Sequence, residues 1–322
     1  MTSEVFLIGD IGGTNARFAL VNAGASTYHD ERVLQSAEFE TPELAIGEYL
    51  ARVSCPEPAV ICLAAAGPVV NGGVDFTNNN WHLREFQLQE RFDPRKVRLL
   101  NDFEAVAYSL PGLDASSCER IGLHTGNGLK TDKFTVGVIG PGTGLGAAGL
   151  VRRNGFTFPL ITEAGHVGFA PENSLQKAVW EVLRYRFGRV SDERLVSGAG
   201  LENIFSALSE IHDAPSLSWR ASEIFAQVGQ HNMATEAVNL FFEVLGQVAG
   251  NFALMHGAYD GIYIAGGIVQ RYPELLANSA FRVSFENKGR HRYLMERIPT
   301  LLITHPHPGL LGAALMANDL AD

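Results

Sequence analysis

The sequence predicts an α/β protein of two related lobes with a cleft between them. Three observations carry that reading. At 322 residues the chain is longer than one hydrophobic core usually serves, since cores stop growing near roughly 250–300 residues. Each half opens on an apolar strand, a glycine turn and a second apolar strand. Beyond each hairpin, short apolar runs alternate with stretches of helical period, the pattern of sheets flanked by helices.

Taken in order, residues 5–8 form a buried-strand run, 9–14 a glycine turn and 16–21 a second strand, together a hairpin. A third extended stretch is expected at 33–39. A helix follows over 43–53, where Leu44, Ile46, Tyr49, Leu50 and Val53 recur at helical spacing. Residues 59–66 read as a buried strand closed by Gly67-Pro68, 83–92 as a short amphipathic helix, 97–100 as a strand and 103–110 as a helix ended by Pro111-Gly112. The second half repeats the opening with strands at 134–139 and 147–151. Helices are expected at 173–187, 200–211, 222–228 and 235–256, then a strand at 261–265, a helix at 273–280, a strand at 301–304 and a closing helix at 310–318.

Hydrophobic residues at 46% with charged residues at 19% describe a globular chain and exclude disorder. Lys+Arg 25 against Asp+Glu 35 leaves a net charge of −10, which disfavours nucleic-acid or anionic-membrane partners. The three cysteines, Cys55, Cys62 and Cys118, have no CxxC spacing, so neither a disulfide framework nor structural zinc is expected and a cytoplasmic location fits. The first residues lack the basic leader of a signal peptide. The long uncharged stretches at 134–151 and 298–318 are broken by glycines and prolines and are not membrane helices.

Residues 9–17, GDIGGTNAR, carry the strongest local signal. Gly12 and Gly13 let backbone approach a phosphate chain, Thr14 and Asn15 can donate to it, and Asp10 can hold magnesium through water. A glycine pair alone would read as a plain hairpin turn. A second glycine loop, GPGTGLG, spans 140–146. Gly144, Gly146 and Gly149 also satisfy GxGxxG with Glu163 downstream, but that fingerprint needs a helix at the glycines, and 147–151 reads as a strand. No GxxxxGK[ST] pattern occurs.

Asn101-Asp102 ends a strand before a helix. Taken alone, Asp102 reads as a helix cap; as a catalyst it would accept a proton from an attacking hydroxyl while Asn101 holds a neighbouring oxygen. Glu163, His166 and Glu193 supply the directional partners that a polyhydroxy substrate needs, although Glu193 alone reads as a solvated charge. His305 and His307 flank Pro306 and read as a turn before the last helix. Gly266-Gly267 after a strand suits either a flat purine ring or an ordinary turn.

Together these segments are far more specific. The ordered set GDIGGTNARFAL, FTNNNW (76–81), LLNDFEAVA, GPGTGLG, TEAGHVGFAP, VSGAGL, IAGGIV and PGLLGAAL resembles the bacterial glucokinase family from residue 5 to about residue 316. The family sits in the hexokinase–actin–heat-shock ATPase superfamily, so the resemblance implies two RNase H-like (actin-like ATPase) α/β lobes with mixed sheets flanked by helices and an active-site cleft between them. It implies a small lobe of 1–110 completed by 301–322, and a large lobe of 111–300. The implied reaction moves the γ-phosphoryl group of Mg-ATP to the 6-hydroxyl of glucose, with Asp102 as base. ATP would meet Gly9, Asp10, Ile11, Gly12, Gly13, Thr14, Gly142, Thr143, Gly144, Gly266 and Gly267. Asp10 would hold Mg2+, and Asn101, Asp102, Glu163, His166 and Glu193 would bind glucose, with Asn78 nearby. The resemblance also implies a homodimer. The segment 167–171, VGFAP, lacks the cysteines of a related zinc-binding sugar-kinase and repressor group, so zinc and DNA binding are not expected. Kinases for another hexose, a polyphosphate donor and a non-catalytic sugar sensor of the same fold are the alternatives.

Overall fold

Residues 5–8 are apolar throughout, as a strand covered on both faces requires, and in the computed structural model they begin β1 (Val5–Ile11). The structure describes residues 4–55, 57–76, 79–122, 129, 132–215 and 217–321. The chain divides into two compact units, residues 1–114 with 305–322 and residues 115–304.

In the first unit β1 is central. It pairs antiparallel with β2 (Asn15–Asn22), which pairs antiparallel with β3 (Tyr28–Gln35). After α1 (Pro42–Arg52), capped by Thr41 Oγ1 accepting from Leu44 N at 3.4 Å, β4 (Val60–Ala65) lies parallel to β1. A small hairpin of β5 (Gly73–Asp75) and β6 (His82–Arg84) precedes α2 (Glu85–Phe92). Then β7 (Lys96–Asn101) joins parallel to β4 and leads directly into α3 (Asp102–Ser109). The sheet order is β3-β2-β1-β4-β7. Leu7, Phe18, Tyr49, Ile61 and Leu99 anchor the core on one side. The C-terminal helix Pro308–Ala321 packs on α3 so closely that a methyl group on Gly312 would stand 1.7 Å from the Ala105 carbonyl oxygen. Only glycine allows that approach.

The second unit contains β8 (Cys118–Arg120), β9 (Phe134–Pro141), β10 (Leu145–Arg153) and β11 (Phe156–Ile161). The helices α4 (Ser174–Phe187), α5 (Gly198–Ile211), α6 (Ala221–Ala226) and α7 (Asn232–His256) follow. β12 (Gly261–Ile264), the short helices α8 (Gly267–Arg271), α9 (Pro273–Ala277), α10 (Phe281–Glu286) and α11 (Arg292–Met295), and β13 (Thr300–Ile303) complete it. The sheet order is β11-β10-β9-β12-β13-β8. Setting β8 aside, both sheets run third, second, first, fourth, fifth in chain order, with an antiparallel hairpin side and a parallel side. The echo between the two halves of the sequence is thus a repeated topology. Among the described residues, α7 is the one helix long and apolar enough to cross a membrane, and most of it is buried in the core of its own unit.

Several local expectations change. The stretch expected at 33–39 begins at Tyr28 and ends at Gln35, because a 3-10 turn at Ser36–Glu38 redirects the chain. The helix expected from Leu83 starts at Glu85, with Leu83 buried in β6. β11 is not among the strands expected from the sequence; it is an edge strand, where its Pro159 is tolerated. The helix expected at 273–280 ends at Ala277, and Pro273, which has no N–H to donate, separates it from α8. Residues 301–304, expected with the first lobe, belong largely to β13, which pairs with β12 and β8 in the second unit.

Candidate active site

Within the first unit, Asp10 and Asn101 stand at the carboxyl ends of parallel strands. Across β4 the register places Asp10 beside Ala64 and Asn101 beside Ala65. The glycine turn is narrower than the motif. Gly9 lies buried inside β1 against Leu63 and Phe18, and the Ile11 side chain is in the core, so neither presents a side of the loop. The turn proper is Gly12–Thr14, closed by Gly12 N donating to Asn15 O at 2.9 Å and steadied by Asn79 Nδ2 donating to Gly13 O at 3.0 Å. Asn78 lies outside the described residues.

Asn101, rather than Asp102, caps α3. Its Oδ1 accepts from Phe103 N at 2.9 Å and Glu104 N at 3.4 Å, while Asn101 N donates to Glu104 Oε2 at 3.3 Å, a capping box. Its Nδ2 donates to Gly67 O at 3.0 Å, leaving one amide hydrogen for other use. Asp102 is therefore the first helical residue, with Oδ1 accepting from Phe103 N at 2.9 Å. The Asn-x-x-Glu spacing of a capping box was present in the sequence and could have separated these roles.

Burial, reinforced by the negative charge of Asp102 and opposed by Arg17, pushes the Asp10 carboxyl up to about 6. Two neighbouring carboxylates with one partial counter-charge are a donor set that fits a hard divalent cation. Gly309, in the first turn of the C-terminal helix, borders the same carboxylate: a methyl there would stand 3.3 Å from Asp10 Oδ2. The cluster beside it joins residues that no single sequence motif links. Arg17 pairs with Glu31 and donates to His307 Nε2 at 3.0 Å, and His307 Nε2 lies 3.5 Å from Glu31. Because arginine only donates, His307 carries its ring proton on Nδ1. The His305–His307 turn lies between β13 and the last helix, as expected, and fastens that helix to β2.

In the second unit, Glu163, His166 and Glu193 occupy two neighbouring turns. Phe169 N donates to Val190 O and Asp192 N to Val167 O, both at 3.0 Å, and Arg189 Nη2 donates to His166 O at 2.7 Å. Glu163 and His166 are exposed, with Oε2 and Nε2 4.0 Å apart. Glu193 is half-buried, and its Oε2 accepts from Leu145 N at 2.9 Å, tying it to the second glycine loop. That loop is closed by Gly142 N donating to Gly144 O at 2.8 Å and held to α5 by Gly198 N donating to Gly142 O at 2.9 Å.

Gly142, Thr143 and Gly267 lie on one pocket of about 430 Å³ with Ser222, Phe225 and Tyr272, the two rings stacked at 4.1 Å. Gly266 has a left-handed backbone (φ 97°), and a methyl on it would stand 2.4 Å from the Pro141 carbonyl oxygen. Ser222, Phe225, Arg271 and Tyr272 were invisible as site residues, since they come from α6, α8 and the residue after it and carry no motif. Among the described residues no group of three or more His, Cys, Asp or Glu side chains forms a metal cluster.

The family model for glucokinase matches residues 7–320. The chain belongs to the glucokinase family. The glucokinase of Caulobacter sp. (strain K31) is 40% identical over 320 residues, covering 96% of this chain and 94% of that one. A crystal structure of a glucokinase from an Antarctic psychrotroph is 32% identical with a TM-score of 0.89, over 98% of this chain and 99% of that one. The Balamuthia mandrillaris glucokinase, solved in complex with glucose, shares the fold at 24% identity and a TM-score of 0.75, over 98% and 94% of the two chains. Within this glucokinase-family chain, both glycine loops, the Asn101-Asp102 pair and the Glu163–His166 turn fall inside the matched span.

Proposed function

We propose that the protein is an ATP-dependent glucose kinase that forms glucose 6-phosphate and ADP, with Asp102 as general base. The observation that carries the reading is the capped start of α3. Asn101 takes the helix-capping position, which sets Asp102 in the first turn of α3, one residue on and within the field of the Asp10 carboxyl, where a base for a substrate hydroxyl is needed. Base help of this kind is typically worth about 10²–10⁴-fold.

In the proposed step the 6-hydroxyl oxygen of glucose attacks the γ-phosphorus of ATP, its proton passes to an Asp102 carboxylate oxygen, and the bond from the γ-phosphorus to the bridging oxygen breaks to release ADP. Such transition states are loose, so positioning and charge neutralisation do most of the work. Amides of the Gly12–Thr14 turn and of Gly142–Gly144 are assigned to the phosphates, and the pocket beside Gly267 to adenosine. Asp10 would hold Mg2+, which supplies neutralisation of phosphate charge when bound. Asn101, Glu163, His166 and Glu193 are assigned to sugar hydroxyls, where the exposed Glu163–His166 pair has unused hydrogen-bonding capacity. A cytoplasmic homodimer completes the reading, supported by the family's usual habit and tested by light scattering.

The deciding experiment is ADP release from Mg-ATP with glucose, mannose, fructose, N-acetylglucosamine or no sugar. Turnover confined to glucose supports the proposal. Turnover with another hexose reassigns the substrate, and tight sugar binding without turnover makes the protein a sensor.

A further inference from the structure

Behind the Glu163–His166 turn, inside the second unit, lies a cavity of about 260 Å³ that the proposed chemistry does not use. Its walls are mostly apolar, with Ile139, Val248, Phe252 and Met255 among them, and one acid, Asp192. Asp192 is 8% exposed. Arg189 is the cation that acts on it, through space and without a hydrogen bond to it, while its Nη2 donates to His166 O. Among the described residues the Asp192 side chain has no protein hydrogen bond, and its residual 8% exposure is what solvent reaches. Burial pushes this carboxyl up to about 7. A largely buried acid is costly to ionise, and the neighbouring Glu193, with its backbone partner at Leu145, shows that the same turn can supply a donor.

We infer that this cavity is a binding site for a small primary ammonium carrying a compact apolar body, with Asp192 as its counter-ion. The apolar walls select the body and the lone carboxylate selects the charged head, the division of labour usual in small-molecule pockets. A dry cavity of about 150 Å³ holds benzene, so by proportion this one takes roughly nine or ten non-hydrogen atoms. Ala164, Val167 and Gly168 belong to its wall, so an occupant touches the backbone of the turn assigned to the sugar. The binding inference does not depend on that assignment.

The test uses the full chain in a buffer free of primary amines, with 2-phenylethylammonium as probe and its uncharged isostere 2-phenylethanol as control, both followed by calorimetry. One ammonium per chain is expected, bound at least about tenfold tighter than the alcohol. Asp192→Asn removes that preference, and Ala170→Leu, a substitution at another wall residue of the cavity, narrows it without removing the acid and weakens both ligands. Absence of saturable ammonium binding up to about 10 mM, equal affinity for the two probes, or a preference that survives Asp192→Asn each overturns the inference. Binding that disappears as chain concentration rises overturns it too, in favour of a second copy of the chain covering the cavity mouth.

Discussion

The raised Asp192 carboxyl makes stability depend on pH in a direction opposite to the common one. Its pKa stands at about 7 in the folded chain against 3.8 for the free side chain, a shift of about three units, or about 4 kcal/mol when both states are fully ionised. Below pH 3.8 the acid is protonated in both states and nothing is lost. As pH rises through the interval the unfolded chain ionises first, and the folded state falls behind until pH passes about 7. By this linkage about 2–3 kcal/mol of the penalty develops between pH 5 and pH 8. Asp192→Asn keeps the shape and removes the proton. The variant should therefore gain on the parent by that amount from pH 5 to pH 8, whatever constant offset its buried amide adds. Urea unfolding, which leaves ionic strength low, measures it by fluorescence, since Trp180 and Trp219, two of the three tryptophans, lie in the second unit. A stability difference that is the same at both pH values, within about 0.5 kcal/mol, refutes the burial argument.

Asp102→Asn should lower kcat about 10²–10⁴-fold with a much smaller change in glucose affinity, measured by ADP release and calorimetry; kcat within about threefold of the parent removes Asp102 as base. Asn101→Ala deletes the acceptor for two helix N–H groups and the donor to Gly67. It should cost about 1 kcal/mol in urea unfolding and lower kcat more than it raises the glucose KM. Gly312→Ala forces the C-terminal helix off α3, because its methyl would meet Ala105 O. A loss of about 1–3 kcal/mol or more is expected, and an unchanged melting temperature contradicts the packing described. Gly266→Ala should raise the ATP KM while leaving glucose binding intact, because its methyl would collide with the Pro141 carbonyl at the edge of the second glycine loop; equal effects on both substrates would argue against placing the nucleotide there.

Local signals carried the elements that depend on local physics. The strand runs at 5–8 and 134–139 are apolar throughout, and both hairpins follow from glycine turns between them. The helices were legible where a stripe was long and a cap was near, as in α4, whose Asn173 accepts from Gln176 N at 2.9 Å. The candidate site was legible where a motif lies in one continuous segment, as in the two glycine loops and Asn101-Asp102. It was not legible for the lining of the pocket beside Gly267, which gathers single residues from separate helices, or for the Arg17–Glu31–His307 cluster, which joins residues 290 positions apart.

The sequence by itself determined the two-hairpin plan, the order of most elements and the segments that carry the family pattern, because each is set by periodicity, capping and turn chemistry within a few residues. Tertiary structure alone decided which acids are perturbed. Asp192 and Glu193 are adjacent acids in one turn, indistinguishable in sequence, yet one lies against an apolar cavity without a donor while the other accepts from Leu145 N. The difference is one of surroundings: desolvation and charge act through space, and the groups that supply them arrive from elements dozens of residues away.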